Sequence, residues 1–305
     1  MDINEEILKE KLEYLNNEYL SSKEYNLGKY IQYIRKLIKE RKFIQLMRLL
    51  KLHFFKNKGS QIENKKFLNN TKIYIDNNVK EKNKIAVYTC ITGNYDEVEN
   101  PLILEKNCDY FLFTTNDDIK SEFWQVTKIS DQIQKLGNNN IINRYIKMHP
   151  KELFPEYDYA IYIDGNIKIV STISQLISKI NDVTGIAIHK HCKQNCIFQE
   201  VKVCRAYNKG NYKSMKKQMK RYKKEKFPKN FGMFECNMLI SDLKNRKSEE
   251  IFNDWWEEYL SSESLRDQLA LPYVLWKNNL QFCDIGIIGN NINENYLLKI
   301  NTHKS

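Results

Sequence analysis

Four short apolar runs constrain this chain more than any other feature: IAVYTCI at 85–91, DYFLFTT at 109–115, YAIYIDG at 159–165 and GIAIHKH at 185–191. Each is too short for a helix and rich in β-branched and aromatic residues, and helical stretches separate some of them. That alternation predicts an α/β domain with a largely parallel sheet and covering helices. In YDYAIYIDGN, at 157–166, Gly165 lets the chain turn sharply as the strand ends. Asp164 and Asn166 then sit at the strand's carboxyl end, where open α/β sheets bind ligands. Two oxygen-bearing side chains one residue apart suit a hard divalent cation and hence a diphosphate. They equally suit an ordinary capped turn.

The chain's 305 residues suffice for one large α/β domain with a helical addition. We expect a helical basic extension and linker over 1–83 and the α/β domain over 84–305. Within the extension, 3–20 and 24–56 have helical periodicity and 57–83 reads as a polar linker. Further on, 205–224, 248–261 and 266–278 read as helices, and FGMFECNMLIS as a strand.

The net charge of +11 is unevenly placed. Residues 29–58 carry ten Lys and Arg against one acid, and 202–229 carry twelve against one. The first segment has an apolar face and suits either an anionic membrane surface or packing on a partner. The second interleaves Tyr207, Tyr212 and Tyr222 with its cations. It suits a lid or acceptor platform, a solvated face, or a nucleic-acid surface. No apolar run approaches the ~20 residues of a membrane span. Seven cysteines without a repeating spacing point to reduced thiols in the cytoplasm.

The first strand runs into TCITGNYDEVENP, a loop placed to hold a nucleotide's base and ribose. Neither GxGxxG nor GxxxxGK[ST] occurs, which argues against a dehydrogenase or a P-loop enzyme. Arg144 and Lys147 are three apart on a predicted helix and can reach one anion or lie solvated. Asp267 opens a helix, where it serves either as a first-turn acid or as a base held ionised by the dipole. Glu235 and Glu200 are the competing carboxylates. The cluster of His189, His191, Cys192, Cys196 and Cys204 has no common zinc-module spacing.

The ordered segments YTCITGNYD, DYFLFTTND, NRYIKMHP, FPEYDYAIYIDGN, HKHCKQNCIFQE, FGMFECNMLI and SLRDQLALPYVLWK resemble a glycosyltransferase-like family. Its members occur among plant cell-wall and mucilage proteins and in bacterial capsule or lipopolysaccharide loci. The resemblance covers about residues 84–280. It implies a GT-A-like, Rossmann-type mixed sheet flanked by helices, a nucleotide-sugar donor, and sugar transfer to a glycan or lipid-linked acceptor. Carried over by position, it sets Thr92, Gly93, Tyr95 and Asp96 near the nucleotide and Arg144 and Lys147 near the donor's phosphates or sugar. His189 would point into the cleft, Arg266 and Gln268 would join the substrate site, and Asp267, Glu235 or Glu200 would act on the acceptor. Asp164 and Asn166 occupy the acidic metal motif commonly written D-x-D, here D-G-N, and would hold Mn²⁺ or Mg²⁺. Asn brings an oxygen but no charge.

The reading is a hexosyltransferase of bacterial surface polysaccharide synthesis, cytoplasmic and peripheral at the inner membrane face, with no nucleic-acid partner. The alternative is a non-catalytic basic adaptor binding an anionic membrane or RNA.

Overall fold

The computed structural model describes residues 83–93 and 95–301. Apart from residue 83, the expected extension and linker lie outside the described residues, as does the membrane-facing role expected of 29–58.

Strands β1 (Ile85–Ile91), β2 (Cys108–Thr114), β3 (Gln125–Lys128) and β4 (Tyr159–Ile163) are mutually parallel. After the short β5 (Ile167–Ile169) come β6 (Ile186–Lys190), β7 (Phe234–Asp242), β8 (Gly286–Ile287) and β9 (Leu298–Ile300). Seven of them form one sheet in the order β3-β2-β1-β4-β7-β6-β8, and β5 pairs with β9 in a second, two-stranded sheet. β7 runs antiparallel to both of its neighbours. The large sheet is therefore mixed, as the resemblance implied, and less parallel than apolar periodicity alone suggested. Periodicity reports burial and is blind to strand direction.

All seven residues of β1 are buried, because the sheet is covered on both faces. Ala86, Tyr88, Cys90 and Tyr162 face one core, while Ile85, Val87, Ile161 and Ile163 face the other. That two-sided burial is why these strands read as nearly continuous apolar runs.

The helices are α1 (Asp131–Gln134), α2 (Asn139–Met148), α3 (Pro150–Leu153), α4 (Ile197–Ala206), α5 (Tyr212–Lys224), α6 (Arg246–Ser262) and α7 (Asp267–Lys277). Four side chains set helix starts, since Ser130, Asn138, Asn211 and Asn245 each accept at least one backbone N–H of the following turn. The helix expected at 205–224 is two helices. Asn208 (φ 56°) and Gly210 (φ 70°) adopt left-handed backbone between α4 and α5, and Asn211 restarts the chain as a cap. A third apolar cluster, including Ile197, Met215, Met219, Tyr222 and Phe227, seals these helices against α7.

Ile161 is fully buried in β4, between β1 and β7. Ile161→Ala should cost about 2–5 kcal/mol through lost transfer energy and a residual cavity. A urea titration should show a lower midpoint at unchanged slope.

Candidate active site

The sheet's carboxyl edge is organised by hydrogen bonds from α2. Asn143 Nδ2 donates to the Cys90 carbonyl at 2.8 Å, and the Tyr88 hydroxyl donates to the Lys147 carbonyl at 3.0 Å. These bonds fix α2 on β1 and direct Arg144 and Lys147 inward.

Both cations meet one carboxylate. Asp267, at the first position of α7, is 3% exposed, and its Oδ2 accepts Arg144 Nε at 2.8 Å and Lys147 Nζ at 2.7 Å. Its Oδ1 accepts the Gln268 backbone N–H, while its carbonyl accepts Trp255 Nε1 at 3.0 Å. Lys147 also donates to the Cys236 carbonyl in β7 and lies 5.1 Å from the centre of the Tyr162 ring. Burial alone would raise the Asp267 pKa, but Arg144, Lys147 and Arg266 together hold it well below the usual carboxylate range. The structure places Asp267, expected as a base, as the shared counter-ion of Arg144 and Lys147. Lys147 is 1% exposed. Arg144 keeps a partly exposed side chain and is oriented further by donating to Asn143 Oδ1.

Asp164 lies just beyond β4. Its backbone N–H donates to the Asn237 carbonyl at 2.9 Å, and the Tyr162 hydroxyl donates to its Oδ1 at 2.9 Å. Asp96 approaches the same turn, for a Cβ placed on Gly165 would stand 3.5 Å from Asp96 Oδ2 and 2.8 Å from Ile91 Cγ1. Gly165 thus keeps open the space that Asp96 and Ile91 fill. Tyr95 is 61% exposed. Partial burial raises its hydroxyl pKa, Asp96 and Asp164 add to the rise, and Arg144 and Arg266 oppose it, so this ring stands among all four charges. Asn166 Nδ2 donates to the Asn301 carbonyl at 2.9 Å, and Asn301 N–H returns a bond to the Asn166 carbonyl.

Arg266 Nη2 donates to Gln268 Oε1 at 2.8 Å, and Gln268 Nε2 donates to the Phe234 carbonyl. The preceding turn places Glu263 (φ 53°) and Leu265 (φ 57°) in left-handed backbone, a conformation that costs of order 1–3 kcal/mol at a non-glycine residue.

Other expected residues fall elsewhere. Thr92 is buried and donates to the Asn139 carbonyl at 3.2 Å, while the left-handed Gly93 (φ 61°) donates its N–H to Thr115 Oγ1. Both shape the loop. His189 is fully buried, with Nε2 3.1 Å from Asn295 Nδ2, and so does not point into an open cleft. Glu235 uses both carboxylate oxygens on backbone, accepting Cys192 N–H at 3.2 Å and Ile292 N–H at 2.9 Å. Glu200 is buried with Oε2 3.7 Å from His191 Nε2. His191, Cys192 and Glu235 bring three ligand-type atoms within 4.8 Å of one another. His191 Nδ1, however, accepts the N–H groups of Lys193 and Gln194, whereas a metal-bound imidazole donates its second N–H outward. All seven cysteines are free.

Sequence reasoning missed Tyr162 and Asn143, which orient Asp164 and Arg144. Asn143 adjoins Arg144 in NRYIKM, and Tyr162 has the strand parity of Asp164, so both signals were present.

Asp267→Asn should cost about 3–5 kcal/mol by leaving buried cations uncompensated, against ~0.3–1 kcal/mol for a mere first-turn charge. Because the folded pKa of Asp267 is depressed, its contribution is present above ~3.9 and lost as pH falls below that value. Calorimetric melting across acid pH should show the variant losing that dependence. Burial also lowers the His189 pKa to about 3. The unfolded chain takes up this proton near ~6.5, so stability should fall as pH drops from there, and His189→Gln should flatten the slope.

Among solved structures, the chain is similar to the galactosyltransferase LgtC in complex with donor and acceptor sugar analogues, at 12% identity and a TM-score of 0.39, covering 61% of this chain and 69% of that one. Mouse xyloside xylosyltransferase 1 is similar at 10% identity and a TM-score of 0.39, with coverage of 64% and 83%. The bifunctional glycosyltransferase WbbM is similar at 10% identity and 0.38, with coverage of 67% and 38%. No curated protein matches the chain. The family model described as TOD1/MUCI70, glycosyltransferase-like domain, matches residues 12–285, and the chain belongs to that family.

Proposed function

We propose that this chain transfers a sugar, a hexose by its resemblance, from a nucleoside-diphosphate donor to a glycan or glycolipid acceptor in surface polysaccharide synthesis. The observation that carries the reading is the pair Asp164 and Asp96 at the Gly165 turn, at the carboxyl edge of β1 and β4, with the exposed Tyr95 beside Asp96 and in electrostatic reach of Arg144 and Arg266. A diphosphate leaving group gains negative charge as its bond to the anomeric carbon breaks. Fixed cations aimed at that charge lower the barrier without reorganising. Arg144, positioned by Asp267 and Asn143, and Arg266, positioned by Gln268, are such cations. The exposed ring of Tyr95 offers a face to the nucleotide base.

The residues of the D-G-N turn fit a divalent cation, Mn²⁺ or Mg²⁺. Asp164 has an oxygen beyond the one bonded to Tyr162, and Asp96 adds the carboxylate that Asn166 lacks. Asn166 Nδ2 is spent on Asn301, leaving its amide oxygen as the donor. A cation held there would neutralise the diphosphate. Proton removal from the acceptor is assigned to neither Asp267, already paired with two cations, nor Glu235, engaged twice by backbone. Glu200 beside His191 is the remaining candidate. On this reading the chain works at the cytoplasmic face of a bacterial membrane.

Thermal-shift titration with a panel of nucleotide sugars, with and without Mn²⁺, tests the reading. A true donor at a hundred times its dissociation constant stabilises by ~2.7 kcal/mol. Asp164→Ala should abolish both the Mn²⁺-dependent shift and transfer while the ligand-free melting temperature holds. Failure of every nucleotide sugar to shift the wild type would leave the basic-adaptor alternative standing.

A further inference from the structure

Helix α5 carries a feature that sugar transfer does not use. Lys213, Lys216, Lys217, Lys220, Lys223 and Lys224 are all exposed. Spaced i, i+3, i+4, i+7, i+10 and i+11, they form one stripe along the helix. The opposite face, Met215, Gln218, Met219 and Tyr222, is buried in the third apolar cluster and fixes the stripe outward. Lys226 and Lys229, just after the helix, are exposed too, as is Lys202 on α4, which packs on α5. None of the six stripe lysines forms an ion pair among the described residues. The nearby acid Glu225 is already engaged by Tyr273 and Lys277, and Glu258 by Arg221.

The composition of this surface discriminates among anionic partners. Single-stranded nucleic acid is bound by cations together with aromatic faces on which bases stack. Here no aromatic ring on the stripe is fully exposed, and Lys223 lies over Phe198 at 5.4 Å. Tyr222 is fully buried and stacked on Tyr273 at 3.8 Å, and Tyr212 is covered by the Arg205 guanidinium at 4.4 Å. The stripe's lysines are hydrated point charges on flexible stems, without the rigid fork that reads phosphates one by one. A convex face of lysines alone suits a diffuse negative surface, where attraction needs no fixed partner geometry. We infer that the α5 lysine stripe docks the protein on an anionic lipid surface through headgroup charge, without inserting side chains. Among the described residues no helix is long and apolar enough to cross a membrane, and the apolar face of α5 is spent on the fold. The inference stands independently of the sugar-transfer reading.

The test is co-sedimentation of the full chain with phosphatidylcholine vesicles and with vesicles containing about one-third phosphatidylserine. The wild type is compared with the variant Lys213→Gln, Lys216→Gln, Lys217→Gln, Lys220→Gln, Lys224→Gln. All five positions are exposed and outside the proposed active site, so circular dichroism and melting temperature should not change. The wild type should bind the anionic vesicles selectively, and removing five charges should weaken binding about ten-fold or more. Binding should also collapse between 0.1 and 1 M salt, where the screening length shortens from ~10 to ~3 Å. A second variant, Lys36→Gln, Lys39→Gln, Lys42→Gln, should bind the anionic vesicles more tightly than the five-lysine variant, and the reverse order would overturn the inference. Equal vesicle binding by the wild type and the five-lysine variant would overturn the inference. So would tighter, lysine-dependent binding of single-stranded RNA of matched charge than of the anionic vesicles.

Discussion

One buried carboxylate reconciles this fold with its own charges. The interior between α2, β7 and α7 contains a lysine with almost no solvent contact and an arginine beside it, and ions in such a setting are strongly penalised unless compensated. Asp267 compensates both, and the Cys236 carbonyl accepts a further hydrogen bond from the lysine. Helix α2 is thereby tied to the α7 start some 120 residues on, and the Trp255 indole on α6 holds the Asp267 backbone carbonyl as well. Arg144 is left in one orientation with part of its guanidinium facing the sheet edge. A free arginine would have to give up rotamer freedom on binding an anion, whereas this one has surrendered it during folding.

The sheet was largely legible in the sequence because its strands are buried on both faces and so read as short apolar runs. YAIYIDG gave β4 and the turn after it almost to the residue, and FGMFECNMLIS gave β7. Direction was not legible, nor were β3, β5 and β9, which have four, three and three residues and too little periodicity to register. The break between α4 and α5 was written in NKGN but was outweighed by the long basic run around it.

The site was legible as a set of residue types and only partly as roles. Asp96, Asp164, Arg144 and Arg266, from four separate segments of the chain, all bear electrostatically on Tyr95. Burial and pairing decided the rest. Asp267 and Lys147 share a site that no local pattern reveals, since 120 residues separate them. Glu235 looked like a polar interruption of a strand, yet it anchors two loops through backbone N–H groups on either side of it.

The shared carboxylate also restricts how this sequence can drift. Lys147, Arg144 and Asp267 form one electrostatic unit, so a change at any one position alters the value of the residues at the other two. Replacing Lys147 with a neutral side chain of similar volume would leave Asp267 with a single cation and the Cys236 carbonyl without its donor. A later change at Asp267 would then be far less harmful than the same change made first. Substitutions here are contingent on their order, and the tolerated routes are those in which the charges leave or arrive together.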